Sequence, residues 1–138
     1  MPYISSNSSF ANRGELGIQG SRPAEIIKLW LGLRFLGNFG IYHILKSSIE
    51  KKIYFEENLN HGKFSIYSGP LHIISFLPKG LNVKESDFWS ERKRSELMKM
   101  NTMLSRPKFK GKYFLRAVFG NYNTSIEHIE NLLNILND

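Results

Sequence analysis

The chain of 138 residues contains no cysteine, which excludes disulfides, thiol catalysis and thiolate metal sites. It has no run of about 18 apolar residues, so no transmembrane helix is expected. Its first residues, MPYISSNSSFANRGELG, are polar and serine-rich. They hold no apolar core of the kind a secretory signal needs, so none is expected. A reducing, cytoplasmic setting fits these absences. Histidines and acids do not cluster at metal-ligand spacing, and no Gly-x-Ser-x-Gly turn is present, so neither a metal site nor a serine-hydrolase site is expected. No internal repeat is visible.

What is present supports a packed core. Apolar residues make up 41% of the chain, which argues against disorder. The length suits one domain, or one small domain with an appendage. Net charge is +7, from 19 Lys and Arg against 12 Asp and Glu. A basic balance suits an anionic partner such as a nucleic acid, a phosphate-bearing cofactor or an acidic substrate. It equally suits a surface of solvated lysines, and charge alone does not choose.

Residues 1–19 read as loop. The spacing predicts a helix from Pro23 to about Leu36, because proline is tolerated in a first turn. Ile26, Ile27, Leu29, Trp30, Leu31, Leu33, Phe35 and Leu36 surround almost all of that helix, so it must be buried on most sides. After Gly37-Asn38-Phe39-Gly40 a second helix is predicted to about Asn58, with Ile41, Ile44, Leu45, Ser48 and Ile49 on one stripe. From Gly62 the pattern turns to strands at 63–68 and 71–78, parted by Gly69-Pro70. Ser86 and Asp87 are expected to cap a third helix through about Met100, and KYFLRAVFG at 112–120 reads as one strand. Thr124 and Glu127 have capping-box spacing. The helix behind them places Ile126, Ile129, Leu132, Leu133 and Leu136 on one face.

The expected fold class is therefore α+β. Residues 1–60 form a loop and two helices, and residues 61–138 form a small β-β-α-β-α domain with helices on one side of a sheet. The second part can build its own core. The first has no strand to cover its apolar helix, so it needs either extensive dimerisation or a larger body of which this chain is the C-terminal part.

GIQGSRP, residues 17–23, leads into that helix. Unpaired N–H groups at a helix N-terminus attract anions. Gly20 allows close approach, Ser21 brings a hydroxyl and Arg22 a charge, which together suit a phosphate. A serine N-cap beside an incidental arginine explains the same residues. Gly14, Gly17 and Gly20 do not have dinucleotide-fingerprint spacing, and no strand precedes them. Arg116 lies between Phe114 and Val118 on one face of a strand, an awkward place for a charge unless an anion meets it or its head reaches solvent.

GIQGSRPAEIIKLWLGLRFLGNFGIYHIL and GKYFLRAVFGNYNTSIEHIENLLNIL (111–136) resemble, in order and separation, two segments of the group II pyridoxal-phosphate (PLP)-dependent amino-acid decarboxylases. The similarity runs from about residue 12 to the end. The resemblance implies the C-terminal portion of an aspartate-aminotransferase-like fold. Residues 1–60 would then be the end of the PLP-binding large domain and the dimer interface, and 61–138 the small domain. It implies that Gly20 and Ser21, with Arg22 adjacent, contact the cofactor phosphate of the other subunit, and that Arg116 holds a substrate carboxylate.

PLP chemistry needs a Schiff-base lysine, which in this family usually follows a histidine. His43, His61, His72 and His128 are followed by Ile, Gly, Ile and Ile. Lys28 and Lys112 lie near the matched motifs but not at the lysine's position. The resemblance therefore implies no catalytic residue in this chain, which alone should be inactive. Its partners would be a lysine-bearing N-terminal half or a second copy, and its substrate an amino acid. The alternative is a small basic RNA-binding α+β module. The strand KGKYFLRAVF lacks the small residue between aromatics that RNA-recognition sheets carry, and that reading leaves residues 12–60 unexplained.

Overall fold

The computed structural model describes residues 25–137. The chain divides between Gly37 and Asn38 into two compact units. Helix α1 is assigned over Glu25–Asn58, but Gly37 inside it has φ 59° and ψ −178°, so two helical segments meet there. Glycine reaches that conformation without the penalty a Cβ brings. Asn38, Phe39 and Gly40 are themselves helical, so the expected break shrinks to a single residue.

In the first unit the described residues are helical, and the aliphatic and aromatic side chains of Ile26–Leu36 are all exposed. Lys28 pairs with Glu25 at 2.8 Å, and the Arg34 guanidinium lies over the Trp30 ring.

The second unit is built on an antiparallel sheet. Strands β1 (Phe64–Ser68), β2 (Ile73–Pro78) and β5 (Leu115–Val118) lie in the order β1-β2-β5. Helix α2 (Val83–Lys99) follows β2, and helix α3 (Ile126–Asn137) ends the unit. A second, two-stranded ribbon pairs β3 (Lys108–Phe109) with β4 (Lys112–Tyr113). The expected strand at 112–120 is thus two strands broken at Phe114. Its first residues fold back on β3 around Lys110 and Gly111, whose φ values are 47° and 80°. Positive φ at both central residues is what a two-residue type I′ hairpin turn requires.

Alternation along the strands sends one face to the core. Ile66, Phe76 and Leu115 stand side by side in register, as do Ile74 and Ala117. Phe55 of α1, Leu59 just beyond its end, Leu97 of α2 and Ile129, Leu132, Leu133 and Leu136 of α3 cover them. Phe55 is fully buried, its ring centroid 5.6 Å from that of Phe76 and 5.4 Å from that of Phe119. Burying a side chain of this size contributes about 1.5–3 kcal/mol. Four of the five apolar positions expected inside α3 are buried, and Ile126 is the exposed exception.

Both expected caps move. Helix α2 starts earlier than Ser86. Its N-cap is Asn82, whose side chain accepts from the Glu85 N–H at 3.0 Å while the Glu85 carboxylate accepts from the Asn82 N–H at 2.7 Å. Ser86 instead returns its hydroxyl to the Val83 carbonyl, and Asp87 pairs with Arg106. At α3 the reciprocal pair is Ser125 with His128, one residue on from Thr124 and Glu127. The Ser125 Oγ accepts from the His128 N–H at 3.3 Å, and His128 Nδ1 accepts from the Ser125 N–H at 3.1 Å. No helix among the described residues is long and apolar enough to cross a membrane.

Candidate functional site

The sheet face opposite the core is only partly covered. Tyr67, Ser75 and Arg116 form one row across it, Tyr67 opposite Ser75 and Ser75 opposite Arg116. Cross-strand neighbours in such a row have Cβ atoms about 4.5–5.5 Å apart. The period of two that buries Leu115 and Ala117 turns Arg116 to this face.

Arg116 is half-buried and held on one edge. Its backbone bridges to Ser105, with N–H···O contacts of 2.8 and 3.2 Å, and its Nε donates to the Ser105 hydroxyl at 2.9 Å. Among the described residues its two terminal nitrogens make no hydrogen bond, and it pairs with no carboxylate. An arginine oriented through Nε and open at both terminal nitrogens is prepared for an anion, because a guanidinium fork matches a carboxylate in a bidentate way.

Arg116 opens into a groove of about 370 Å³ lined also by Tyr67, Ser75, Lys108, Phe109 and Phe114. The β3–β4 hairpin carries Lys108 and Phe109 to its rim. The Tyr67 and Phe114 rings meet edge to face, 5.2 Å apart, with Phe109 6.4 Å from Tyr67 and 6.5 Å from Phe114. Sequence reasoning named Arg116 and its strand neighbour Phe114, but not Tyr67, Ser75, Lys108 or Phe109. The available signal was the Lys110-Gly111 turn between Phe109 and Tyr113, which marks a hairpin and so places Phe109 near Phe114.

A guanidinium fork on the wall of this groove suits a carboxylate, which it can meet in a bidentate way. The residues assigned to the cofactor phosphate, Gly20, Ser21 and Arg22, lie outside the described residues. Lys112 donates to the Leu81 carbonyl, and Lys28 pairs with Glu25 on an exposed helix surface.

The histidines are dispersed. His43 packs edge-on against Phe39 and Tyr42, His61 Nε2 lies 2.8 Å from the Glu56 carbonyl, and His72 lies beside Gly120. No group of three His, Cys, Asp or Glu that could hold a metal occurs among the described residues. A second cleft, of about 470 Å³, is lined by amides, hydroxyls, apolar groups and the His128 ring, with no lysine, arginine or carboxylate.

No family model matches the sequence, and no curated protein matches it. Solved structures do match. Oryza sativa TDC, crystallised with PLP and tryptamine, aligns over 80% of this chain and 25% of its own, with TM-score 0.70 and 15% identity. Catharanthus roseus tryptophan decarboxylase in complex with L-tryptophan aligns over 80% of this chain and 25% of its own, with TM-score 0.67 and 22% identity. Mouse CSAD in its apo form aligns over 96% of this chain and 32% of its own, with TM-score 0.69 and 18% identity. The chain therefore shares the fold of part of these proteins, and it spans about a quarter to a third of their length.

Proposed function

We propose that this chain is the C-terminal part of a PLP-dependent amino-acid decarboxylase and supplies the arginine that holds the substrate carboxylate. The observation that carries this reading is Arg116, steered by Ser105 and open at its terminal nitrogens in a groove, on a fold shared with solved decarboxylases. In this reading residues 1–60 are the end of the large PLP-binding domain and the dimer interface, and residues 61–138 are the small domain. Gly20 and Ser21, with Arg22 beside them, contact the cofactor phosphate of the other subunit. When bound, PLP supplies the electron sink for the carbanion left by loss of CO2. This chain's share is to bind and orient the substrate through Arg116. The anchoring lysine comes from a lysine-bearing N-terminal half, so the chain alone is inactive.

The exposed apolar side chains between Ile26 and Leu36 support the same reading, because a helix apolar all round is stable only inside a larger body. The RNA-binding alternative draws less support. Of the two exposed aromatics at the groove, Tyr67 lies in the three-stranded sheet but Phe109 lies in the separate hairpin, so they do not form one stacking platform.

Reconstitution with a lysine-bearing half tests the proposal. The pair is expected to bind PLP saturably and release CO2 from an amino acid, and neither half is expected to do so alone. Arg116→Lys in that pair is expected to raise KM or lower kcat at least tenfold, because lysine cannot reproduce the guanidinium fork. Wild-type kinetics for Arg116→Lys would remove Arg116 from the site.

A further inference from the structure

We infer that the open end of the β5 edge is a docking site for an uncharged, extended peptide segment, which pairs with Val118 and lies in the cleft between β5, residues 101–104 and α3. The inference stands on the second unit alone and does not rest on the role given to Arg116.

Register decides which way the backbone of β5 points. Arg116 exchanges both of its main-chain hydrogen bonds with Ser105, so its N–H and C=O face away from β2. Along an antiparallel strand that direction repeats at every second residue. Ala117 and Phe119 therefore turn their groups to β2, in keeping with the bond from the Phe119 N–H to the His72 carbonyl at 3.0 Å. Val118 turns its own outward. Continuing the Ser105 bridge by one step would set Met103 opposite Val118, but no such pair forms. Among the described residues neither the N–H nor the C=O of Val118 has a partner on this edge, and Met103 is exposed. The cleft of about 470 Å³ opens between these two stretches of chain. A strand edge that offers a free donor and acceptor is a template for one more strand.

The lining selects the kind of segment. Leu104, Ala117, Ile129 and Leu132 make a buried apolar floor. Asn101, Asn123, Thr124 and His128 make the rim. Charged residues are 22% of the chain, yet no lysine, arginine or carboxylate lines this cleft. A charged side chain entering it would lose water without gaining a counter-charge. Side-chain amides donate and accept at once, as peptide groups do. The Nδ1 of His128 accepts from the Ser125 N–H at 3.1 Å, which leaves Nε2 to donate to a carbonyl. The trough continues along α3 past Asn131 and Asn134, through a hollow of about 410 Å³ that shares Thr102, His128 and Leu132 with the first. A small polar ligand would use the rim but not the paired donor and acceptor of Val118. A second copy of β5 offers little more than Val118 for pairing, because its Arg116 is already bridged to Ser105. A separate extended segment uses the edge, the rim and the floor together, with alternate apolar side chains turned down.

The test is an amide chemical-shift titration of the full chain with the capped peptide acetyl-Thr-Val-Thr-Val-Thr-amide. With its central threonine opposite Val118, both valines face the floor. The peptide is expected to shift the Val118 amide saturably and to slow its hydrogen exchange. The same peptide N-methylated at the central threonine keeps every side chain but loses the donor, and is expected to bind about fivefold more weakly. Replacing both valines by glutamate or by lysine is expected to weaken binding at least tenfold. Val118→Pro removes the outward N–H at an edge position, where proline is tolerated, and is expected to abolish binding. The N-methylated peptide makes the same deletion without altering the protein, so the outcome does not hang on how that variant folds. Absence of a saturable Val118 shift, equal binding of the N-methylated peptide, or tighter binding of a charged one would overturn the inference. So would a Val118 shift that grows with protein concentration alone, which would assign the edge to a second copy.

Discussion

Lys52 is the one buried charge among the described residues, 7% exposed, and its ammonium stands 3.0 Å from both the Glu56 carboxylate and the Ser68 hydroxyl. Ser68 donates in turn to Glu56 at 2.8 Å, closing a triangle that ties α1 to β1. Burial pushes the Glu56 carboxyl up, but hydrogen bonds from Ser68 and Lys52, together with the Lys52 charge, outweigh it and hold the group below its ordinary value. A carboxyl whose folded value is depressed stabilises the fold above the unfolded value of about 4.3, and that contribution drains away as pH falls through the folded value. Glu56→Gln is therefore expected to cost about 1–3 kcal/mol at pH 7, because Lys52 is left buried without its counter-charge. Urea unfolding is expected to show the two proteins converging as pH falls below the ordinary carboxylate range. Equal stability at pH 7 would contradict the pairing. At this scale the sequence is only half informative. Arg116 stands out because a charge sits on a strand between Phe114 and Val118, whereas nothing near Lys52 announces Ser68, sixteen residues away.

Among the secondary-structure elements, the periodic parts were legible and the ends were not. The β-β-α start of the part after residue 62, and the buried face of α3, follow from hydrophobic spacing, because the side chains themselves do the packing. Caps depend on which of several adjacent polar residues reaches the backbone first. Asn82 with Glu85 makes a full reciprocal box, which frees Ser86 to be buried and Asp87 to meet Arg106, as tertiary contacts require. Asn82→Ala is expected to lower stability by about 1 kcal/mol and Asn82→Asp to leave it nearly unchanged. Urea denaturation curves distinguish these, and an Asn82→Ala protein as stable as the parent would displace the cap from Asn82. The β3–β4 hairpin was the least legible element and also the one that matters most to the groove. Lys-Gly is a weaker turn signal than Asn-Gly, so the split at Phe114, which brings Phe109 beside Tyr67, shows only faintly in the residue string.

The whole chain presents a mismatch between its two units. Residues 38–137 enclose a core of their own, in which Phe55, Phe76 and Leu136 are buried. The helix before Gly37 exposes Ile26 at 70%, Leu29 and Trp30 at 57% and Phe35 at 91%, a burden no small protein gains from carrying uncovered. The apolar character of that helix was evident from composition alone. What covers it was not, since a partner's surface leaves no trace in the residues of this chain. The proposed lysine-bearing half accounts for the helix, for the open terminal nitrogens of Arg116 and for the absence of a His-Lys pair together. The most direct test is a native pull-down of the chain from its own cell, with mass spectrometry and absorbance of the intact complex. The account predicts a His-Lys pair in the recovered complex, on the same or a second polypeptide, with bound PLP. Recovery of the chain alone, without PLP, would contradict it.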